Sequence, residues 1–165
     1  MRAREAFLLV SAVVITCAAA IEIAHAELTF DPPIIRRSRP PERAFGREGD
    51  PRKVKRVIKI EMSDAMRYFP SEITVKRGDT VRFVLKNGGK LPHDMVIGSM
   101  DDLKKRAALV KRGQAKVSGP GAAHVPPGGT ARFTWQFTRP GEYYYACLVP
   151  GHFDAGMIGT IVVVQ

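Results

Sequence analysis

An all-β sandwich of Greek-key type is the fold this sequence predicts, on three observations. Apolar and polar residues alternate with period two in several short runs, Gly- and Pro-rich turns separate those runs, and a β-branched stretch closes the chain. Ile58, Ile60 and Met62 alternate with Lys59 and Glu61, Val81, Phe83 and Leu85 with Arg82 and Lys86, and Phe133, Trp135 and Phe137 with Thr134, Gln136 and Thr138. Such alternation makes half-buried strands with one face on a core. Turn chemistry lies between the strands at Lys76-Arg-Gly-Asp79, Asn87-Gly-Gly89, Pro126-Pro-Gly-Gly129 and Arg139-Pro-Gly141. Thr160 to Val164 is nearly continuous in β-branched residues and suits a central buried strand. One short helix is expected to interrupt the strands. Ser99 caps it, Asp101 and Asp102 suit its positive first turn, and Lys111 and Arg112 suit its last turn before Gly113.

The organisation before this domain differs in kind. Arg2 and Arg4 precede an apolar run from Ala6 to Ile21, and Ala24-His25-Ala26 has the small-x-small pattern of a cleavage site, so residues 1–26 read as a signal peptide. The run is interrupted at Thr16 and Cys17 and ends at Glu22, short for a span of about 20 residues. Export to the periplasm is therefore expected, with no transmembrane span in the mature form. Residues 27–53, with Asp31-Pro-Pro33 and Arg36-Arg-Ser-Arg-Pro-Pro41, combine proline, glycine and like charges with few large apolar residues. Such a composition predicts a disordered basic tail, with a basic arm docking on an acidic partner or anionic surface as its functional alternative. The folded domain is expected over 54–165.

Chemistry concentrates in one run near the end, Tyr145-Ala-Cys-Leu-Val-Pro-Gly-His-Phe-Asp-Ala-Gly-Met157. Cys147, His152 and Met157 supply a thiolate, an imidazole and a thioether from one loop. A second imidazole is available at His93, in Leu91-Pro92-His93-Asp94-Met95. Two histidines and a cysteine with a weak axial methionine form the arrangement of blue-copper electron-transfer centres. Zinc suits the set less well, because structural zinc prefers four cysteine or histidine ligands. A thiol redox centre usually shows Cys-x-x-Cys, and cleavage after Ala26 leaves Cys147 as the sole cysteine. Cys147 as a small buried hydrophobe and His152 as an ordinary loop histidine is the bland alternative.

With these residues in view, the chain resembles the cupredoxins, the plastocyanin/azurin-like type 1 copper proteins, and most of all the small periplasmic ones of proteobacteria, some linked to copper tolerance. Three stretches carry the resemblance: Phe69 to Phe83, Asn87 to His93, and Pro140 to His152 continuing through Met157. The resemblance implies one copper ion per chain, cycling between Cu(I) and Cu(II), with His93, Cys147 and His152 as equatorial ligands and Met157 as the axial one. Relatives of that kind often carry extra histidines and methionines between residues 100 and 124. This chain has mostly Lys, Arg, Ala and Gly there, so a second copper site is not implied.

The neighbouring residues have plainer expectations. Asp94 is a candidate to orient an imidazole through a hydrogen bond, with a solvated charge as its alternative. Met62, Met66, Met95 and Met100 fit the role of core gap-fillers, with transfer of Cu(I) between soft sites as the alternative. His124 is expected on an exposed loop, dispensable for the principal site. Tyr143, Tyr144 and Tyr145 serve the strand leading into Cys147.

Charge bears on partners. The chain has 26 Lys and Arg against 16 Asp and Glu, a formal net charge of +10. From residue 54 onward the same count gives +8. Such a field favours acidic partners and speeds encounter with them, so an acidic redox partner such as a cytochrome or oxidase is expected, and a monomer. Nucleic acid is not, since no binding module is recognisable. The expected function is electron transfer, with copper tolerance by sequestering or oxidising copper as the alternative. An enzyme is not expected, because multicopper oxidases and copper nitrite reductases need histidine clusters that three mature histidines do not provide.

Overall fold

The computed structural model describes residues 45–165, so the expected signal peptide and most of the expected tail lie outside the described residues. Ten strands follow in order: β1 (Gly46–Glu48), β2 (Arg56–Ser63), β3 (Arg67–Phe69), β4 (Glu72–Lys76), β5 (Thr80–Asn87), β6 (His93–Gly98), β7 (Ala122–Val125), β8 (Thr130–Phe137), β9 (Gly141–Ala146) and β10 (Ile158–Val164). Helix α1 (Met100–Lys111) stands between β6 and β7, and a 3-10 turn (Pro51–Lys53) follows β1. The strands form two five-stranded sheets, ordered β1-β8-β5-β2-β3 and β4-β10-β9-β6-β7. The pairs β2/β5 and β4/β10 are parallel, and all the other pairings are antiparallel.

Period-two patterning decides which side chains lie between the sheets. In β2 only Ile58, Ile60 and Met62 are buried, and in β5 Val81, Phe83 and Leu85 are fully so. Trp135 and Phe137 of β8 join them, and Ile73, Val75, Ile161 and Val163 enter from the other sheet. Burying each such side chain contributes about 1.5–3 kcal/mol, so this cluster is the main source of stability.

β6 departs from alternation, with all six residues buried. The cause is α1, which covers the outer face of β6 and β9. Leu103 packs there with Val96, Ala146 and Leu148 in a second, smaller apolar cluster. The helix starts as predicted, with the Ser99 hydroxyl accepting from the Asp102 amide at 3.2 Å. It ends at Gly113, whose φ of 69° is the left-handed conformation that glycine adopts without a Cβ penalty.

Two expectations are corrected. The predicted tail over 27–53 ends too late, because residues 45–53 are part of the folded body. Phe45 is 1% exposed, packed on Trp135 and Tyr143 at ring-centroid distances of 5.4 and 4.9 Å, and β1 pairs with β8. The β-branched run at the end is an interior strand between β4 and β9, yet only Gly159, Ile161 and Val163 are buried. Helix α1 packs on β6 and β9, so the outer face of β10 remains half-exposed.

Candidate metal centre

The ligand residues converge because of strand register. β9 lies between β6 and β10, with Ala146 opposite both Val96 and Ile158. Continuing that register one step past Ala146 brings Cys147 between the start of β6 and the residue before β10. Accordingly the Asp94 amide donates to Cys147 Sγ at 3.3 Å, and the Cys147 amide donates to the Met157 carbonyl at 3.1 Å. The second bond closes the base of loop 147–157. Within the loop, His152 N donates to the Val149 carbonyl at 2.9 Å and Met157 N to the His152 carbonyl at 3.0 Å. A loop so bonded is a rigid ligand carrier.

His93 opens β6, and the ligand atoms of His93, Cys147 and His152 all lie within 4.8 Å of one another. Cys147 Sγ is 3.4 Å from His152 Nδ1, and the two imidazole centroids are 5.0 Å apart. His93, Cys147 and Met157 are each 0% exposed, and His152 reaches the surface at 9%. Met157 shares the core cluster of Cys147. All four predicted ligands are therefore in one place.

The donor set fits a copper ion, on one observation above all. His93 Nδ1 is buried with no hydrogen-bond partner, while His93 Nε2 lies 3.2 Å from Asp64 Oδ1. The carboxylate accepts the Nε2–H hydrogen bond and leaves the Nδ1 lone pair aimed inward, which is how an outer hydrogen bond selects the tautomer of a metal-ligating histidine. Asp64 also accepts from the Lys90 and Leu91 amides at 2.7 and 3.2 Å. These amides, the Lys90 one foremost, hold its carboxyl below the usual range, so it remains an anionic acceptor. Gly89 permits this approach, because a Cβ there would stand 2.0 Å from Asp64 Oδ1.

Protonation follows from burial. The Cys147 thiol is pushed up to about 11, chiefly by desolvation. His152 is pushed down, by desolvation first and by neighbouring His93 second. Without metal the pocket thus holds a neutral thiol and a neutral imidazole at His152, and binding a cation displaces the thiol proton. When bound, copper would supply a one-electron couple, and the buried, preformed ligands need not rearrange between its two states.

Three supporting residues were not expected from sequence. Asp64 is one; it lies 29 positions before His93, and no local pattern joins them. Asn87 is fully buried, and its side-chain amide donates to the carbonyls of Leu91 and Val125 at 2.8 and 3.1 Å, tying the approach to His93 onto β7. Its place in Asn87-Gly-Gly89 was legible as a turn but not as this clamp. Tyr68, also buried, donates from its hydroxyl to the Asp94 carbonyl at 2.5 Å.

Asp94 and His124 sit otherwise than expected. Successive residues of a strand face opposite sides of the sheet, so Asp94 turns away from His93 and does not orient it. Its carboxylate lies 2.7 Å from His124 Nδ1. His124 is exposed as expected, but it belongs to edge strand β7, directly opposite Asp94, rather than to a loop. Met62 and Met95 are buried in the core and Met66 packs against it, in keeping with gap-filling.

Sandwich and ligand set together define a mononuclear type 1 copper protein. The chain belongs to the copper binding proteins of the plastocyanin/azurin family, whose pattern it matches over residues 54–164. It is 45% identical over 120 residues to the copper-resistant cuproprotein CopI of Rubrivivax gelatinosus, covering 72% of this chain and 73% of that one. It is 33% identical over 150 residues to the protein of the same name from Pseudomonas aeruginosa, covering 73% and 82%. Among solved structures it is similar to dithionite-reduced auracyanin of Roseiflexus castenholzii, with a TM-score of 0.61, 25% identity, and coverage of 68% of this chain and 99% of that one. Among the described residues no helix is long and apolar enough to cross a membrane.

Proposed function

We propose that this protein confers copper tolerance in the periplasm, holding one copper ion at His93, Cys147, His152 and Met157 and passing it between Cu(I) and Cu(II). The observation that carries the reading is the likeness, across more than two thirds of both chains, to relatives named for copper resistance. This reverses the order expected from sequence, where electron transfer led. The site supports the reading through its softness. A buried thiolate and a thioether select copper over harder divalent ions, and imidazoles suit either of its oxidation states.

The test is a deletion strain challenged with copper and complemented with the wild type or Cys147→Ser. Tolerance restored by the wild type and not by the variant is the expected result. Equal tolerance in all strains would overturn it.

A second reading, electron transfer to an acidic protein, is favoured by a specific surface. His152 reaches solvent beside Val149, Pro150 and Phe153, and Lys104 and Lys111 line the adjoining crevice under α1. In this reading an acidic cytochrome or oxidase docks there and exchanges one electron through the His152 edge. Rapid copper-dependent reduction of such a partner by the purified protein is its signature.

A further inference from the structure

Asp94 is a buried ionisable group, next to a ligand, that the ligand set leaves unexplained. It is 2% exposed, and its amide, carbonyl and carboxylate are all hydrogen-bonded. Its amide donates to Cys147 Sγ at 3.3 Å, and its carbonyl accepts from Tyr68. Its carboxylate meets His124 Nδ1 at 2.7 Å and accepts from the Leu148 amide. Leu148 directly follows Cys147, so the carboxylate grips the ligand loop next to the thiolate, while His124 grips the carboxylate from the edge strand. Lys116 lines the same crevice. Burial pushes the Asp94 carboxyl up, and the His124 and Leu148 hydrogen bonds oppose that shift.

We propose that Asp94 and His124 form a brace that sets the reduction potential of the bound copper, with Asp94 fixing its own amide on the thiolate and His124 acting as a positioning residue through Asp94. Two physical effects follow. An amide donated to the thiolate withdraws electron density from it and favours Cu(I). A carboxylate one residue from His93 favours Cu(II), and low surrounding polarity strengthens that effect. The brace holds both at constant geometry. The inference rests on copper binding, and it holds whether the protein serves tolerance or electron transfer.

The two members predict opposite shifts. Asp94→Asn keeps an oxygen for the Leu148 amide and a polar partner for His124 but removes the charge, so the potential should rise. His124→Leu keeps the carboxylate but frees its outer end, which loosens the amide on Cys147 Sγ and leaves the charge less compensated, so the potential should fall. His124→Gln, which restores an N–H donor, should recover most of the loss. His124 is half exposed on an edge strand, 54% by side chain, so its variants should fold even if Asp94→Asn does not. The measurements are voltammetry of the copper-loaded protein and the Asp94 amide proton resonance of the copper-free protein. A changed amide resonance in His124→Leu, with a lowered potential rescued by His124→Gln, is the expected result. An unchanged or raised potential in His124→Leu, or an amide resonance identical to wild type, would overturn the brace.

Discussion

At the scale of the residue, the centre depends on which atom each side chain offers. Cys147→Ser replaces the thiolate with a hydroxyl, so the intense visible absorption of the oxidised copper protein should vanish, as a spectrum of the reconstituted variant will show. Met157→Leu removes a weak axial contact that favours Cu(II), so copper should stay bound while the potential rises, which voltammetry checks. Asp64 reaches the metal site through His93 Nε2 and anchors the Lys90 and Leu91 amides before it. Losing such an outer partner typically weakens metal affinity about 10- to 100-fold, the effect expected for Asp64→Ala in a competitive copper titration. The pH dependence has a definite sign. Because the metal-free Cys147 thiol keeps its proton up to about 11, each copper bound near neutral pH should release about one proton, and apparent affinity should weaken about tenfold per unit of acidification. The depressed His152 adds no competing proton until the pH falls below its ordinary value of about 6.5.

At the scale of the element, the helix and β1 do work that their own sequences only half announce. The cap at Ser99, the acidic first turn and Gly113 made α1 legible in advance, because capping is a local property of a few adjacent residues. What the helix covers was not legible, and the complete burial of β6 follows from that cover. The short β1 was hidden inside a stretch of arginine, glycine and proline. Its single large apolar residue, Phe45, stacks on Trp135 across a separation of 90 positions, which no window of local composition can register. Phe45→Ala should therefore cost about 3–5 kcal/mol in chemical denaturation. A tail residue of the kind expected from composition would cost almost nothing.

At the scale of the whole molecule, charge and fold bear on function separately. The net charge of +8 from residue 54 onward acts on encounter and not on the sandwich. If electron transfer to an acidic partner operates, its rate should fall steeply between 0.1 and 1 M salt, as the Debye length shrinks from about 10 Å to about 3 Å. Stopped-flow mixing across ionic strengths measures this, and copper tolerance makes no such demand. The sequence by itself determined the alternating strands β2, β5 and β8, the closing strand β10, the helix and the four ligands His93, Cys147, His152 and Met157. Period-two burial, capping and the spacing of soft donors on one loop are all written within a few residues of one another. Only the tertiary structure decided that Asp64 orients His93, that Asp94 faces away from it toward His124, and that Phe45 belongs to the core. Each of those depends on which strands are neighbours and in what register they pair, and register is settled by packing between residues far apart in the chain.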